Sequence, residues 1–184
     1  MARYVAVLIG IIALLMLRSD VFWLLMLTLA ANQAGYVGRL GLPLGNTIVS
    51  QVGLGSRKTW GAYYFGAILA TIMLYFLWAF MPVHSMWFGI TEPIDILWRG
   101  PLIGLGVVLG DHTNSFIKRR LRIEPGAPFE FDHVDWAVGG SIAFALVLDN
   151  VRWEELFWLI VIAYPIHCLG NRNSYDFGWR NAPH

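Results

Sequence analysis

Residues 101–126 read PLIGLGVVLGDHTNSFIKRRLRIEPG and change abruptly from apolar to polar after Gly110. Apolar stretches like the first half recur along the chain, at about 3–17, 21–38, 61–81, 97–112, 134–149 and 154–170. A bilayer offers no hydrogen-bond partner to an open strand edge, so apolar spans of this kind form helices. We therefore predict an all-α protein: a polytopic membrane helix bundle of five or six transmembrane helices, without a sheet.

The composition supports a membrane protein. Only 14% of the 184 residues are charged, against about 25% in ordinary globular domains, and 57% are hydrophobic. So few polar side chains cannot cover a folded surface in water, which excludes a soluble domain. The net charge of +1 argues against nucleic-acid binding, which needs a concentrated basic surface. The single cysteine, Cys168, cannot form an internal disulfide.

The length allows a single integral membrane domain, residues 1–184. Its first apolar stretch, 3–17, is shorter than the roughly 20 residues that a spanning helix needs. This stretch resembles a signal peptide, but no small-x-small cleavage site follows it. We interpret residues 1–19 as an extra N-terminal helix that is retained, residues 20–171 as the core, and residues 172–184 as a cytoplasmic tail.

The cations are distributed unevenly between the two sides of the predicted bundle. Six alternating spans place the N-terminus, the loops 39–60 and 113–133, and the tail on one side, with ten of the thirteen lysines and arginines. Acidic residues divide equally between the sides. Because loops rich in Lys and Arg stay in the cytoplasm, we expect both long loops to face the cytoplasm from a multi-pass position in the cell membrane.

The polar segment after Gly110 is the first candidate site. Continued as a helix, it places four polar side chains on one face: Asp111, Ser115, Lys118 and Arg122. A carboxylate at membrane depth is expensive and usually functional, so Asp111 is a candidate metal ligand beneath cations that hold phosphates. Pro125-Gly126 then ends the helix. The alternative is an anchor for anionic lipids, since basic clusters beside membrane helices commonly bind them.

A second acidic pair opens the next apolar stretch. Asp132 and Asp135 are three residues apart, so one helical turn brings their carboxylates to the same face. Together with Asp111 they offer an oxygen-only ligand set of the kind that suits Mg²⁺. The alternative is a helix start, with Asp132 as the N-cap and Asp135 in the capping-box position. The sequence leaves both interpretations open.

A glycine-rich loop at residues 53–61 contains two cations and a hydroxyl before the third apolar stretch. It reads GLGSRKTWG, and Arg57 stands where a Walker A pattern requires glycine before Lys58-Thr59. It is therefore not a P-loop, although such a loop is able to wrap a nucleotide triphosphate.

Two small-xxx-small pairs lie on the helix that precedes Asp111. They are Gly100/Gly104 and Gly106/Gly110. Pairs of this kind let membrane helices approach closely, and we predict that they serve helix packing.

These motifs together resemble the CDP-archaeol synthases, small membrane enzymes related to the phosphatidate cytidylyltransferases. The resemblance rests on the block from Gly110-Asp111 to Asp135-Trp136, with support from Lys58-Thr59-Trp60, Ala31-Asn32, His167 and Asn171. It covers about residues 20–171. Asn114 stands where the family pattern has glycine, and the helix at 3–17 is additional to the family's usual five spans.

The resemblance implies transfer of CMP from CTP to a membrane lipid phosphate, which yields a CDP-activated lipid and pyrophosphate for phospholipid synthesis. It implies Mg²⁺ as the cofactor, with a second cation left open. The metal ligands would be Asp111, Asp132 and Asp135. Catalytic roles would belong to Lys118, Arg119, Asp111 and Asp132. Substrate binding would belong to Lys58, Thr59, Ser115, Arg122, Pro125 and Gly126. CTP, the lipid phosphate and the bilayer are then the partners.

The sequence leaves three alternative functions open. The closest alternative is a phosphatidate cytidylyltransferase that makes CDP-diacylglycerol. Grooves between helices bind lipid chains through nonspecific apolar contacts, so the sequence does not distinguish isoprenoid from fatty-acyl chains. A small cation transporter is suggested by the three carboxylates near membrane depth. A non-catalytic anchor or assembly subunit is suggested by the glycine pairs and the basic loops.

The cation asymmetry makes a prediction about topology. In a variant whose Cys168 is replaced, a cysteine introduced near Arg57 or Gly126 should resist an impermeant thiol reagent applied to intact cells. Both positions should label once the membrane is permeabilised. Ready labelling of both in intact cells would contradict the cytoplasmic assignment of the two loops.

Overall fold

The computed structural model describes residues 19–34, 47–49, 53–55, 58–124, 127 and 129–176. These residues form six α-helices and a short 3-10 helix, Glu130–His133. The α-helices are α1 (Ser19–Asn32), α2 (Trp60–Phe80), α3 (Pro82–Trp87), α4 (Pro93–Arg120), α5 (Asp135–Val147) and α6 (Trp153–Asp176). The described part contains no strand beyond one isolated bridge between Ile48 and Thr59. The all-helical prediction is confirmed for these residues, and the predicted helix at 3–17 lies outside them.

Helix α4 is the centre of the bundle. It packs most extensively against α2 on one side and α5 on the other, and it also contacts α1. Most apolar side chains of α1 are buried or half-buried against the other helices, with Leu24, Leu25 and Leu27 at 0% exposure. Helix α6 extends to Asp176, so its last turn lies within the stretch interpreted above as a tail.

Glycines set the distance between the central helices. A Cβ atom at Gly104 would lie 2.1 Å from the carbonyl oxygen of Gly66 in α2, and one at Gly110 would lie 2.3 Å from the carbonyl oxygen of Asp135 in α5. A Cβ atom at Gly139 of α5 would likewise lie 2.3 Å from the carbonyl oxygen of Gly106 in α4. Backbone therefore meets backbone on both sides of α4. The packing role predicted for the small-xxx-small pairs is confirmed.

The outer surface of the bundle is apolar. Tyr64, Ile68 and Ile72 line an exposed face of α2, and Leu146 of α5 is 79% exposed. Helices α2 and α4 are each long and apolar enough to cross a bilayer, whereas α1 and α5 are apolar but only 14 and 13 residues long. A surface of this kind would be costly in water and suits contact with lipid chains.

The C-terminus of α4 differs from the sequence-based expectation. The helix ends at Arg120, five residues before Pro125, and Arg122 adopts a left-handed backbone conformation with φ of 59°. The Ile123 amide donates to the Lys118 carbonyl, and the Arg122 amide donates to the Arg119 carbonyl. These two bonds form a Schellman motif, which satisfies carbonyl groups that the helix end leaves unpaired. Arg122 therefore does not continue the helical face that carries Asp111 and Lys118.

Paired charges close the opposite end of the bundle. The buried Arg99 guanidinium donates to the Phe88 carbonyl oxygen at 2.9 Å and to the Asp149 carboxylate at 3.3 Å. The Glu155 side chain is fully buried and accepts a 2.6 Å hydrogen bond from Arg152. These groups are partnered within the bundle and hold the helix ends together.

The glycine contacts predict which alanine substitutions the fold tolerates. Gly104→Ala and Gly110→Ala should each lower the thermal unfolding midpoint in detergent, because overpacking between helices costs about 1–3 kcal/mol. Gly170→Ala is the matched control, because a Cβ there would meet nothing within 4 Å. Alanine should leave that midpoint unchanged or raise it, since alanine favours helix over glycine by up to about 1 kcal/mol. Equal changes in all three variants would contradict the close-packing interpretation.

Candidate active site

The candidate site lies where the end of α4 meets the start of α5. Lys58, which immediately precedes Thr59 and α2, forms an ion pair with Asp111 and approaches both carboxylate oxygens. The backbone around Lys58 is held by the isolated bridge, in which the Val49 amide donates to the Lys58 carbonyl at 2.9 Å. The two predicted site residues are thus brought together across 53 positions of sequence.

Lys118 is a buried cation that joins α4 to the segment before α5. Its side chain is only 8% exposed, and its Nζ lies 2.7 Å from Oδ2 of Asp132 and 2.7 Å from the carbonyl oxygen of Ala127. The contact with Ala127 fixes the loop after α4 against the end of that helix. Lys118 therefore both balances a carboxylate and shapes the loop.

Asn114 joins the two remaining carboxylates and was not predicted as a site residue. Its Nδ2 atom lies 2.7 Å from Oδ1 of Asp132 and 2.7 Å from Oδ2 of Asp135. In the sequence, Asn114 stands out only as a departure from the family pattern. One signal was available: Asn114 follows Asp111 by three residues on the same predicted helix, which places the two side chains near each other. In the structure Asn114 is buried.

The two acidic residues occupy different positions from those expected for a helix start. Helix α5 begins at Asp135 itself, with Val134 as its N-cap, and Asp132 belongs to the preceding 3-10 helix. Asp132 accepts a 3.1 Å hydrogen bond from the Phe129 amide, and Asp135 accepts one of 2.6 Å from the Trp136 amide. The alternative in which Asp132 is the N-cap of α5 is therefore wrong, because the separate 3-10 helix Glu130–His133 lies before α5.

The carboxylates of the site are engaged by nitrogen donors of the protein itself. Asp132 and Asp135 converge on a single nitrogen atom of Asn114, and their other oxygens accept hydrogen bonds from Lys118 and from the Phe129 and Trp136 amides. Carboxylate and amide oxygens are preferred ligands of Mg²⁺. Among the residues that the structure describes, no group of three His, Cys, Asp or Glu side chains is arranged as a metal site. Asp111 is engaged with Lys58 instead.

The other predicted site residues lie at varying distances from this centre. Thr59 is buried, Ser115 is half-buried, and the half-buried Arg119 forms no ion pair with any residue in the described part of the chain. Arg120 is exposed and stacks on Phe116, with its guanidinium carbon 4.9 Å from the ring centre. Pro125 and Gly126 lie outside the described residues.

An apolar groove leads into the site between α4 and α5. It has a volume of about 970 Å³, and its polar lining residues are Thr113, Asn114 and Asp135. Trp98 lines one end of the groove and Leu121 the other, with Asn114 between them. At 1.5 Å per residue, the distance along α4 from Trp98 to Leu121 is about 34 Å. Its walls are mostly apolar side chains, so an extended hydrocarbon chain fits its shape and polarity.

Histidines surround the site without joining the carboxylates. His112 is buried, and its Nδ1 is hydrogen-bonded to the Tyr63 hydroxyl. The His133 ring lies edge-on to the rings of Tyr164 and His167, and its Nδ1 is 3.7 Å from the sulfur of Cys168. These contacts fix the 3-10 helix against α6.

The comparisons with known proteins identify the family of the chain. The sequence profile of the CarS-like CDP-archaeol synthases matches residues 11–184. A CDP-archaeol synthase of Pyrococcus horikoshii is 29% identical over 168 residues, which cover 89% of this chain and 95% of that protein. One of Thermococcus kodakarensis is 25% identical over 169 residues, which cover 88% and 94%.

A solved structure has a similar fold. It is described as an intramembrane enzyme for archaeal membrane lipid biosynthesis, and it superposes with a TM-score of 0.59 over 81% of this chain and 90% of its own. At 21% identity this likeness concerns the fold alone. The family itself follows from the profile: since the match extends over nearly the whole sequence, the chain belongs to the CDP-archaeol synthase family.

Proposed function

We propose that this protein is a CTP-dependent lipid-phosphate cytidylyltransferase that makes a CDP-activated membrane lipid. An oxygen of the lipid phosphate attacks the α-phosphorus of CTP and forms a new P–O bond. The bond between the α-phosphorus and the bridging oxygen breaks, and pyrophosphate leaves with that electron pair. The attacking oxygen is already ionised at neutral pH, so the reaction needs no strong base from the protein.

The observation that carries this proposal is the junction of a charged site with an apolar groove. Asp135 and Asn114 line the groove, and Asp132 and Lys118 lie directly beside them, bonded to Asn114 and to each other. A lipid phosphate has the same division between an apolar chain and a charged head. Membership of the CDP-archaeol synthase family supports the same substrate class.

The cations of the site have different tasks in this proposal. Lys118 is committed to Asp132 and Ala127 and keeps the loop after α4 in place. Arg119, which forms no ion pair with a described residue, is the guanidinium best suited to contact a phosphate. Such preorganised charge is worth several kcal/mol when it faces the charge that develops in a transition state.

Asp111, Asp132 and Asp135 are the residues that would hold Mg²⁺. A bound Mg²⁺ would neutralise triphosphate charge and polarise the phosphoryl group. Lys58 counters the charge of Asp111, and Asn114 and Lys118 counter that of the other pair. The site can therefore keep its carboxylates close together before substrates arrive.

The transporter alternative receives less support from the structure. A cation path needs polar groups through the bundle, but the buried polar residues at the far end, Arg99 and Glu155, are engaged in ion pairs or hydrogen bonds.

A direct assay tests the proposed reaction. Purified protein in mixed micelles should release pyrophosphate from CTP only when Mg²⁺ and a lipid phosphate are both present. We expect archaeal ether-lipid phosphate to be used in preference to phosphatidate. A preference for phosphatidate would favour the CDP-diacylglycerol alternative. Absence of pyrophosphate release with every lipid phosphate would contradict the enzyme assignment.

Substitutions at the end of α4 separate catalysis from lipid anchoring. Lys118→Gln and Arg119→Gln should each lower the initial rate at saturating CTP and lipid phosphate by about 10²–10³-fold. The first removes the positive charge that pairs with Asp132, and the second removes the one proposed to contact a phosphate. Arg120→Gln is the matched control, since Arg120 is exposed and stacks on Phe116, and its rate should change by no more than about two-fold.

The thermal unfolding midpoint and the abundance in membranes should be measured for the same three variants. Normal abundance with steep loss of rate in only the first two would support the catalytic interpretation. If these cations only anchor the protein to anionic lipid, each contributes a similar increment of about 1 kcal/mol to the free energy of membrane binding. Equal, small losses in all three variants would therefore contradict catalysis and support the anchor.

A further inference from the structure

The groove between α4 and α5 has a long arm that runs from the charged site to the opposite end of the bundle. On α4 the arm extends from Asn114 to Trp98, which is 16 residues earlier, and on α5 from Asp135 to Val147, which is 12 residues later. At 1.5 Å per residue, its length is about 24 Å along α4 and about 18 Å along α5. Apart from Thr113 beside Asn114, the lining between the two ends is apolar.

Trp98, at the end of the long arm, is held in place by a buried charged group. The Arg99 guanidinium carbon lies 4.8 Å from the centre of the Trp98 ring. Arg99 is fixed in turn, because it donates to the Phe88 carbonyl oxygen and pairs with Asp149, which follows α5 by two residues. The indole ring is thereby tied to the ends of both helices that form the groove, and it acts as a rigid obstacle.

We propose that the long arm takes one hydrocarbon chain of the lipid phosphate and that Trp98 limits the length of this chain. The inference rests on the proposed cytidylyltransferase reaction and adds chain length to its specificity. With carbon–carbon bonds of about 1.52 Å and angles of about 111°, each atom of an extended chain adds about 1.25 Å. An arm of about 18–24 Å therefore holds about 14–19 main-chain atoms, counted from the phosphate end.

Length is a property that such a groove is able to discriminate. The surrounding bilayer is as apolar as the groove, so each carbon that enters the arm gains little from the transfer itself. A chain that is too long must bend out of the arm or displace the ring, and forcing extra methylene groups into a packed space is unfavourable. Selectivity therefore depends on the position of the obstacle at the end of the arm.

Two substitutions move this obstacle in opposite directions. Trp98→Ala removes it, whereas Leu102→Trp places an indole one helical turn closer to the site and shortens the arm by about 6 Å, or about five carbons. Trp153→Ala is the matched control, because Trp153 is exposed near the same end of the bundle and is not among the residues that line the groove. If Trp98 served only in an aromatic belt at the membrane surface, the two alanine variants would behave alike.

The first measurement is kcat/KM for dialkylglycerol phosphates with a graded series of saturated chain lengths. Wild type and Trp153→Ala should share a profile that falls by about 10-fold once the chain exceeds the arm, since one misfitting methylene in an apolar pocket changes specificity by about 10–200-fold. Trp98→Ala should lose this fall, and Leu102→Trp should show it about five carbons earlier. A loss of rate that is equal at every chain length would indicate a structural effect and contradict the inference.

The second measurement needs no turnover. A dialkylglycerol phosphate with a diazirine on the last carbon of a chain that fills the arm should, on illumination without CTP, label Trp98 or Val147. A probe that is shorter by about five carbons should label Leu102 and its neighbours instead. Labels that do not move with chain length, or that fall on the outer face of α2 at Ile68 and Ile72, would overturn the inference.

The two measurements also separate this inference from the proposed reaction. Length-dependent labelling of the arm without pyrophosphate release from any lipid phosphate would contradict only the reaction. Pyrophosphate release with the same chain-length profile in wild type and Trp98→Ala would contradict only the role of Trp98.

Discussion

The close approach of α4 and α5 at Gly110 and Gly139 is the constraint on which the site depends. Any side chain larger than hydrogen at Gly110 would meet the backbone of Asp135. Because the two backbones touch, the first residue of α5 lies beside the part of α4 that carries Asp111 and Asn114. In lipid, association of helices relies on such packing more than on burial of apolar area. The same contact therefore supplies stability and brings the acidic residues together.

The charges of the site are balanced within a few side chains. Asp111 has Lys58, Asp132 has Lys118 and Asn114, and Asp135 has Asn114 and the Trp136 amide. Carboxylates at membrane depth are expensive unless they are paired or hydrogen-bonded. The lysines therefore have a role before any substrate binds, which explains why Lys118 is buried although it lies in a run of otherwise accessible cations.

Much of the fold was predictable because hydropathy and helix length are properties of local sequence. The apolar stretches that the structure describes became helices, the glycine pairs became packing contacts, and the resemblance to the family was confirmed by the profile match. The end of α4 was missed because its Schellman motif uses Arg122, and an arginine gives no signal for a left-handed conformation that glycine usually adopts.

The candidate site was predictable in part. Lys58 pairs with Asp111 and Lys118 pairs with Asp132, as carboxylates and cations in one apolar chain tend to do. Which lysine pairs with which aspartate could not be predicted from the sequence, because the pairing depends on how α2, α4 and the 3-10 helix pack. Asn114 was missed for the same reason: an amide on a helix has no distinctive pattern, and its role appears only when two carboxylates of another element approach it.

The groove beside α4 is flanked by side chains that remain accessible, among them Leu109, Ile142 and Leu146. For the proposed reaction, one substrate can thus enter sideways from the leaflet, while the other arrives from solution. The relevant quantity for the lipid is then its mole fraction in the surrounding two-dimensional phase, not its bulk molarity. Diluting the membrane with inert lipid would lower the encounter frequency even when the total amounts of enzyme and lipid phosphate in the tube stay the same.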